Sequence, residues 1–289
     1  MSERLVLVTG ASGAIGGMVC TALRTGGWRV RALVHRRPCR HADEQVAGSL
    51  REPGSLPAAV RGTDAVLHLA AVTHARRTEV YDEVNARGTV DLLEAAVGAD
   101  VRRFVLVSTR AISPEGGAYS RSKSAAEAAV AGSTLDYTIV RLPEVYGAGG
   151  AEGVDRIIGL ARIGRPVVLA AADSALVCPV HVGDVVPPLI EALEADRARR
   201  KTYTLAGDCL TLRAFAQTCI EAFGSRSRII DLPLTAARLL ATAGRLLPLP
   251  IYPDQVARLL ALKPGLSSDA LDELGFEPRS LEDGLRELA

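Results

Sequence analysis

The sequence predicts an α/β fold: a doubly wound parallel sheet with helices on both faces and a small C-terminal lobe. Three observations predict it. Short β-branched apolar runs alternate with helix-period segments through the first half of the chain; a glycine-rich turn joins the first run to the first helix; and from about Gly147 the rhythm breaks into shorter pieces punctuated by Pro and Gly. At 289 residues the chain is long enough for one large α/β unit carrying a small second lobe. Residues 1–145 would supply most of the first, and residues 146–289 would complete the sheet and build the second, interleaved as one structural unit.

In chain order, the first strand is Leu5–Thr9, and further β-branched runs follow at residues 30–34, 65–69, 104–107 and 137–141. Helical spacing covers Ala14–Thr25 and residues 81–97 and 119–131. In the second half, the runs at 167–169, 179–182 and 202–205 read as short strands. The most apolar tract, residues 234–249, is broken by Arg238, Arg245 and Pro248 and is shorter than the roughly 20 residues a membrane span needs; it reads as an amphipathic pair of helices. Leu274-Gly275-Phe276-Glu277-Pro278 marks a helix stop and a new start, which gives a last helix over 280–288.

Composition narrows the function. Lys and Arg number 34 against 33 Asp and Glu, so the basic footprint of a nucleic-acid binder is missing, and 48% hydrophobic residues is too many for a disordered chain. The start runs from Met-Ser-Glu-Arg straight into Leu5-Val6-Leu7-Val8 without an export pattern, so a cytoplasmic protein is expected. Cys20, Cys39, Cys178, Cys209 and Cys219 are odd in number and scattered, which predicts free thiols, no disulfide framework and no zinc or other metal site. Aromatic residues make up only 4%, leaving few rings for a stacking pocket.

The turn Thr9-Gly10-Ala11-Ser12-Gly13-Ala14-Ile15-Gly16 lies between the first strand and the first helix. Glycine there lets the backbone turn tightly and approach a pyrophosphate, whose charge rests on the amides at the helix N-terminus. The residues that follow the second strand select the cofactor. A carboxylate at that position grips the ribose hydroxyls of NAD, but this chain has Val34-His35-Arg36-Arg37 and no acid until Asp43. The guanidinium groups of Arg36 and Arg37 suit the extra phosphate of NADP, which is therefore preferred over NAD, although exposed loop arginines are the plainer alternative.

Tyr119-Ser120-Arg121-Ser122-Lys123 places a phenol and an ammonium four residues apart on one helix face. A phenol moves protons at neutral pH only when a cation stabilises its phenolate. The preceding strand ends in Val107-Ser108-Thr109, whose hydroxyls are candidates to hold a substrate oxygen beside that phenol.

Further along lie His68-Leu69-Ala70-Ala71, Val84-Asn85-Ala86-Arg87-Gly88-Thr89, Arg141-Leu142-Pro143-Glu144-Val145-Tyr146-Gly147, Pro179-Val180-His181-Val182-Gly183-Asp184-Val185 and Tyr203-Thr204-Leu205-Ala206-Gly207. With the glycine turn and the Tyr119/Lys123 pair, and in this order, these motifs resemble the extended short-chain dehydrogenase/reductases, an NAD(P)-dependent epimerase/dehydratase-like family, over nearly the whole chain. The resemblance implies a Rossmann-type sheet with a small C-terminal substrate-binding lobe. It implies Tyr119 as general acid/base, Lys123 as its electrostatic partner and ribose ligand, and Thr109 as the neighbouring hydroxyl, with Ser108 the candidate one position earlier. Gly10, Ser12, Gly13, Ala14, Ile15, Gly16, Leu50, Leu69, Ala70, Ala71 and Pro143 would border the cofactor, Pro143 on its nicotinamide side. Thr73, Glu144 and Tyr146 would border a small-molecule substrate. A homodimer through the helices over 81–97 and 119–131 is a further implication of the resemblance.

Departures from the family pattern restrict the chemistry. Arg110-Ala111 stands where similar dehydratases carry an Asp-Glu pair, which argues against dehydration. Glu144 and Val177 stand where nucleotide-sugar members usually have an asparagine and a diphosphate-binding arginine, unless Arg162, Arg165, Arg213 or Arg226 substitutes. Ser49 replaces an acid that contacts adenine. The leading expectation is an oxidoreductase moving a hydride to or from a secondary alcohol or ketone carbon of a small polar or secondary-metabolite substrate. The alternatives are an NAD-dependent nucleotide-sugar epimerase with tightly held cofactor, and a non-catalytic NAD(P)-binding protein. The shortage of rings weighs against a nucleotide-linked substrate.

Overall fold

A computed structural model of the chain describes residues 4–150, 153–244, 252 and 254–289. The chain begins β1 (Leu5–Thr9), α1 (Ala14–Thr25), β2 (Arg29–Val34), β3 (Glu44–Ala47), α2 (Leu56–Val60) and β4 (Ala65–His68). There follow α3 (Glu79–Tyr81), a π-helical stretch (Asp82–Arg87), α4 (Gly88–Gly98), β5 (Arg103–Thr109), α5 (Gly117–Ala131), β6 (Asp136–Leu142) and β7 (Val145–Tyr146). Next are α6 (Gly153–Arg162), β8 (Val167–Ala170), β9 (Leu176–Val177), β10 (Val180–His181), α7 (Val182–Glu194), β11 (Lys201–Thr204) and β12 (Leu210–Thr211). The last elements are α8 (Leu212–Ala222), β13 (Ile229–Leu232), α9 (Leu234–Ala243), α10 (Gln255–Leu260), α11 (Asp269–Leu274) and α12 (Leu281–Arg286).

Seven strands pair in the order β3-β2-β1-β4-β5-β6-β11, all of them parallel. This is the Rossmann-type arrangement that the alternating runs predict. The strands read as unbroken apolar runs because helices bury both faces of the sheet. Period-two alternation then divides their side chains between two cores. Val6, Val8 and Val105 pack under α1 and α7 with Leu23, Val185 and Leu189. Leu7, Val66 and Leu106 pack under α2, α4 and α5 with Leu56, Leu92 and Val130. A third core, with Val154, Ile158, Leu169, Phe215 and Leu285, joins α6, β8, α8 and α12.

Several expectations change. The edge strand β3 has no counterpart in the sequence reading because it is half exposed and polar, so it carries no apolar run. The run at 179–182 is a strand only over Val180–His181: Val182 opens α7, and the His181 side chain caps it by accepting from the Gly183 amide at 3.2 Å. The helix expected over 81–97 begins at Glu79 and passes through the π-helical stretch. Of the pair expected over 234–249, α9 is present, and residues 245–249 lie outside the described residues. Cys178 and Cys209 form a disulfide, which corrects the expectation that all cysteines are free. The reason is register: Leu210 pairs antiparallel with Val177, which brings the adjoining cysteines to a Cα separation of 4.1 Å. Cys20, Cys39 and Cys219 are free and buried. Among the described residues no helix is long and apolar enough to cross a membrane, and no cluster suits a metal ion.

Candidate active site

Parallel pairing places the carboxyl ends of the central strands along one edge of the sheet. The registers Thr9 with His68 and Thr109 with Leu142 put the turn after β1, the segment after β4, the end of β5 and Pro143 on that edge. The connections leave β1 and β4 in opposite directions at their junction, which opens a crevice there.

The glycine turn lines this crevice. Gly10 has φ +73°, and a Cβ on it would lie 2.8 Å from the Ala70 nitrogen, so the turn and the segment after β4 touch backbone to backbone. A Cβ on Gly16 would meet the Gly10 carbonyl oxygen at 2.2 Å. No side chain caps α1 at Gly13, and no acid sits in its first turn. Ser12, Gly13 and Ala14 are exposed at this helix end. This cradle of small residues at a bare, positive helix end fits a dinucleotide pyrophosphate. Arg36 and Arg37 follow β2, both exposed and engaged by no partner among the described residues. Leu50, near the crevice, is buried against Gly88.

Beside the crevice runs a chain of hydrogen bonds centred on buried His68. Thr89 donates to the Asn85 carbonyl (2.7 Å), so its oxygen accepts from His68 Nε2 (3.0 Å). The other ring nitrogen, Nδ1, accepts from the Thr9 hydroxyl (2.6 Å), whose oxygen accepts from the Ala70 amide (3.2 Å). Every proton in the chain is used, which fixes a neutral imidazole. Burial and the nearby Lys123 accordingly hold His68 down at about 3.

Tyr119 and Lys123 occupy α5, both buried. The Thr109 side chain at the end of β5 neighbours the Tyr119 phenol closely enough to lower its pKa. Burial raises its pKa, Arg258 and Thr109 oppose that rise, and Asp254 adds to it. The Lys123 ammonium donates to the Val107 carbonyl at 2.9 Å; burial lowers it to about 8 against the pull of Glu127. The Ser108 hydroxyl is buried without a partner among the described residues. Tyr81 meets Tyr119 edge to face at 5.8 Å.

The C-terminal segment closes over this group, which the sequence did not signal. Asp254 accepts from the amides of Ala118 (2.6 Å) and Tyr119 (3.2 Å), capping α5 from outside. The Arg258 guanidinium lies 4.6 Å from the centre of the Tyr119 ring. Lys263 donates to Glu144 at 2.5 Å, with Arg110 3.9 Å away on the other oxygen. Burial pushes the Glu144 carboxyl up, but Lys263 holds it below its ordinary value. Thr73 is exposed at the rim, its carbonyl accepting from Arg258 at 3.0 Å. Tyr146 is elsewhere: it is turned into the third core, its hydroxyl against Gly284.

Comparison with known proteins shows the family of the chain. The profile of the NAD dependent epimerase/dehydratase family matches residues 6–206. The chain belongs to that family. A ceramide reductase of Caulobacter vibrioides is 31% identical, over 81% of this chain and 77% of that one. A 4-hydroxy-2-methyl-3-oxo-4-farnesyl-3,4-dihydroquinoline-1-oxide ketoreductase of Stigmatella aurantiaca is 27% identical, over 88% and 84%. The solved UDP-glucose 4-epimerase of Thermotoga maritima shares the fold with a TM-score of 0.79 at 20% identity, over 98% and 96% of the two chains.

The chain is thus an extended short-chain dehydrogenase/reductase, of an enzyme family of NAD(P)-dependent oxidoreductases and epimerases, and it carries Glu144 at the edge of its site. That carboxylate is neutralised from within by Lys263. Of the arginines considered as substitutes for a diphosphate ligand, Arg213 is bound to Asp173 and Asp231, and Arg162 to the Leu288 carbonyl.

Proposed function

We propose that this protein is a ketoreductase that prefers NADP and acts on a lipid-like or secondary-metabolite ketone. The observation that carries the reading is the meeting of the Tyr119 phenol with Thr109 on the sheet edge that also holds the glycine cradle. Bound there, the nicotinamide cofactor would supply the hydride. Gly10, Ser12, Gly13, Ala14, Ile15 and Gly16 would hold its pyrophosphate, Arg36 and Arg37 its additional phosphate, and Lys123 its ribose. Leu50, Leu69, Ala70, Ala71 and Pro143 would line the remainder.

Tyr119 would give its proton to the substrate oxygen while Thr109 holds that oxygen in place. A phenol raised by burial stays protonated at neutral pH, which suits proton donation and therefore reduction. The two relatives, one named a reductase and the other a ketoreductase, support the same direction. Their names carry a ceramide and a farnesyl group. In this chain a cavity of about 490 Å³ between α9, α10 and Glu115 offers Ala241, Val256, Ala257 and Leu260 to such an apolar portion. A homodimer through α4 and α5 belongs to the same proposal, Val90 and Val97 being partly exposed on α4.

The test is NADPH consumption by the purified protein over a panel of ketones with and without long aliphatic chains. Tyr119→Phe should lower turnover by about 10²–10⁴-fold with little change in NADPH affinity. Full activity in that variant would refute the mechanism. Epimerised product without net change in nicotinamide absorbance would replace the reductase by an epimerase.

A further inference from the structure

Tyr119 is surrounded by groups from several elements. Thr109 reaches it from β5, Tyr81 from α3, and Asp254 and Arg258 from the segment around α10, while Lys123 stands one turn along its own helix. When Tyr119 gives up its proton, the O–H bond breaks, the substrate oxygen gains the proton, and the electron pair stays on the phenol oxygen until solvent returns a proton. A cation must face that phenolate. Lys123 is spent in part on the Val107 carbonyl, and burial brings its pKa to about 8, so its charge fades above neutral pH. Arg258 sets a second cation, a guanidinium, over the ring.

We infer that Arg258 is a positioning residue for Tyr119, a fixed cation that the C-terminal lobe lays over the phenol ring. The side chain is held for that task. Its Nη1 donates to the Thr73 carbonyl at 3.0 Å and its Nη2 to His74 Nε2 at 3.3 Å, which locks the guanidinium plane above the ring. One turn earlier, Asp254 binds the Ala118 and Tyr119 amides and so docks α10 on the start of α5. The Asp254 carboxylate by itself would disfavour a phenolate, and Arg258 offsets it. The proton-transfer group is therefore assembled from both halves of the chain, and the lobe contributes charge as well as a wall.

The inference rests on the proposed role of Tyr119, and its test does not need turnover. Tyrosine carrying an isotope label at Cζ would be incorporated into the full chain, with Tyr119→Phe assigning the signal, and its ionisation followed by NMR with and without NADP⁺. Arg258→Gln should lower the ionised fraction of Tyr119 about tenfold or more at a given pH, as expected when an opposite charge within a few ångströms is lost. Arg258→Lys should restore most of it, and the limb of the pH–rate profile that follows Tyr119 should move by the same amount. A folded Arg258→Gln protein that titrates Tyr119 like the wild type overturns the inference. If the Gln variant does not fold, the Lys variant decides: with the charge retained, a tenfold loss of ionisation would equally overturn it. Absence of ketone reduction in the wild type would sink the functional reading alone, since the NMR titration would still report on Arg258.

Discussion

His68 shows how one residue ties the site to the stability of the whole chain. Its imidazole is enclosed between Thr9 and Thr89, with both nitrogens matched as neutral groups, and its pKa is held at about 3 against an ordinary 6.5. The unfolded chain therefore takes up a proton as pH falls through 6.5, while the native chain refuses it until about 3. Folding is unaffected by this group above that window and weakens within it, by at most about 1.4 kcal/mol per pH unit. Denaturant unfolding near neutral pH and near pH 4.5 should show the wild type losing up to about 2–3 kcal/mol more than His68→Asn. Parallel pH slopes in the two proteins would contradict the neutral, caged imidazole.

At the scale of an element, the turn between β1 and α1 was readable because its demands are local. Three glycines at a fixed spacing after an apolar run report a backbone that must pass close to something. Gly16→Ala would drive a methyl into the Gly10 carbonyl, 2.2 Å from where its Cβ would stand. It should weaken NADPH binding at least about tenfold and cost about 1–3 kcal/mol of stability, measurable by calorimetric titration and denaturation. Gly17→Ala is the control, because its Cβ would meet only the His41 ring at 3.4 Å. The helix α10 carried no comparable signal. Asp254 and Arg258 sit in an ordinary amphipathic stretch, and their partners lie more than a hundred residues earlier in the chain.

At the scale of the molecule, the lobe is joined to the sheet by polar ties and braced by one covalent bond. Lys263 with Glu144, Arg110 with the Pro264 carbonyl, and Asp254 with α5 hold the C-terminal segment over the site. The Cys178–Cys209 bridge closes a loop of 31 residues that includes α7 and β11. Loop-closure entropy for that length gives about 3–4 kcal/mol. Cys178→Ser should lower stability by roughly that amount under oxidising conditions and by far less in the presence of a reductant. Thiol titration of the denatured, unreduced protein should find three free cysteines, Cys20, Cys39 and Cys219. A count of five would show the bridge absent.

The sequence by itself determined the parallel sheet, the cradle at Gly10, Gly13 and Gly16, and the spacing of Tyr119 and Lys123 on one helix, because each follows from periodicity or from contacts within a few residues. Tertiary structure alone decided which charge faces Tyr119, what neutralises Glu144, that Tyr146 turns away into the lobe, and that Cys178 meets Cys209. Those outcomes depend on how segments distant in sequence dock. Docking is set by the shapes of packed faces and by strand register, and neither is written in any short stretch of the chain.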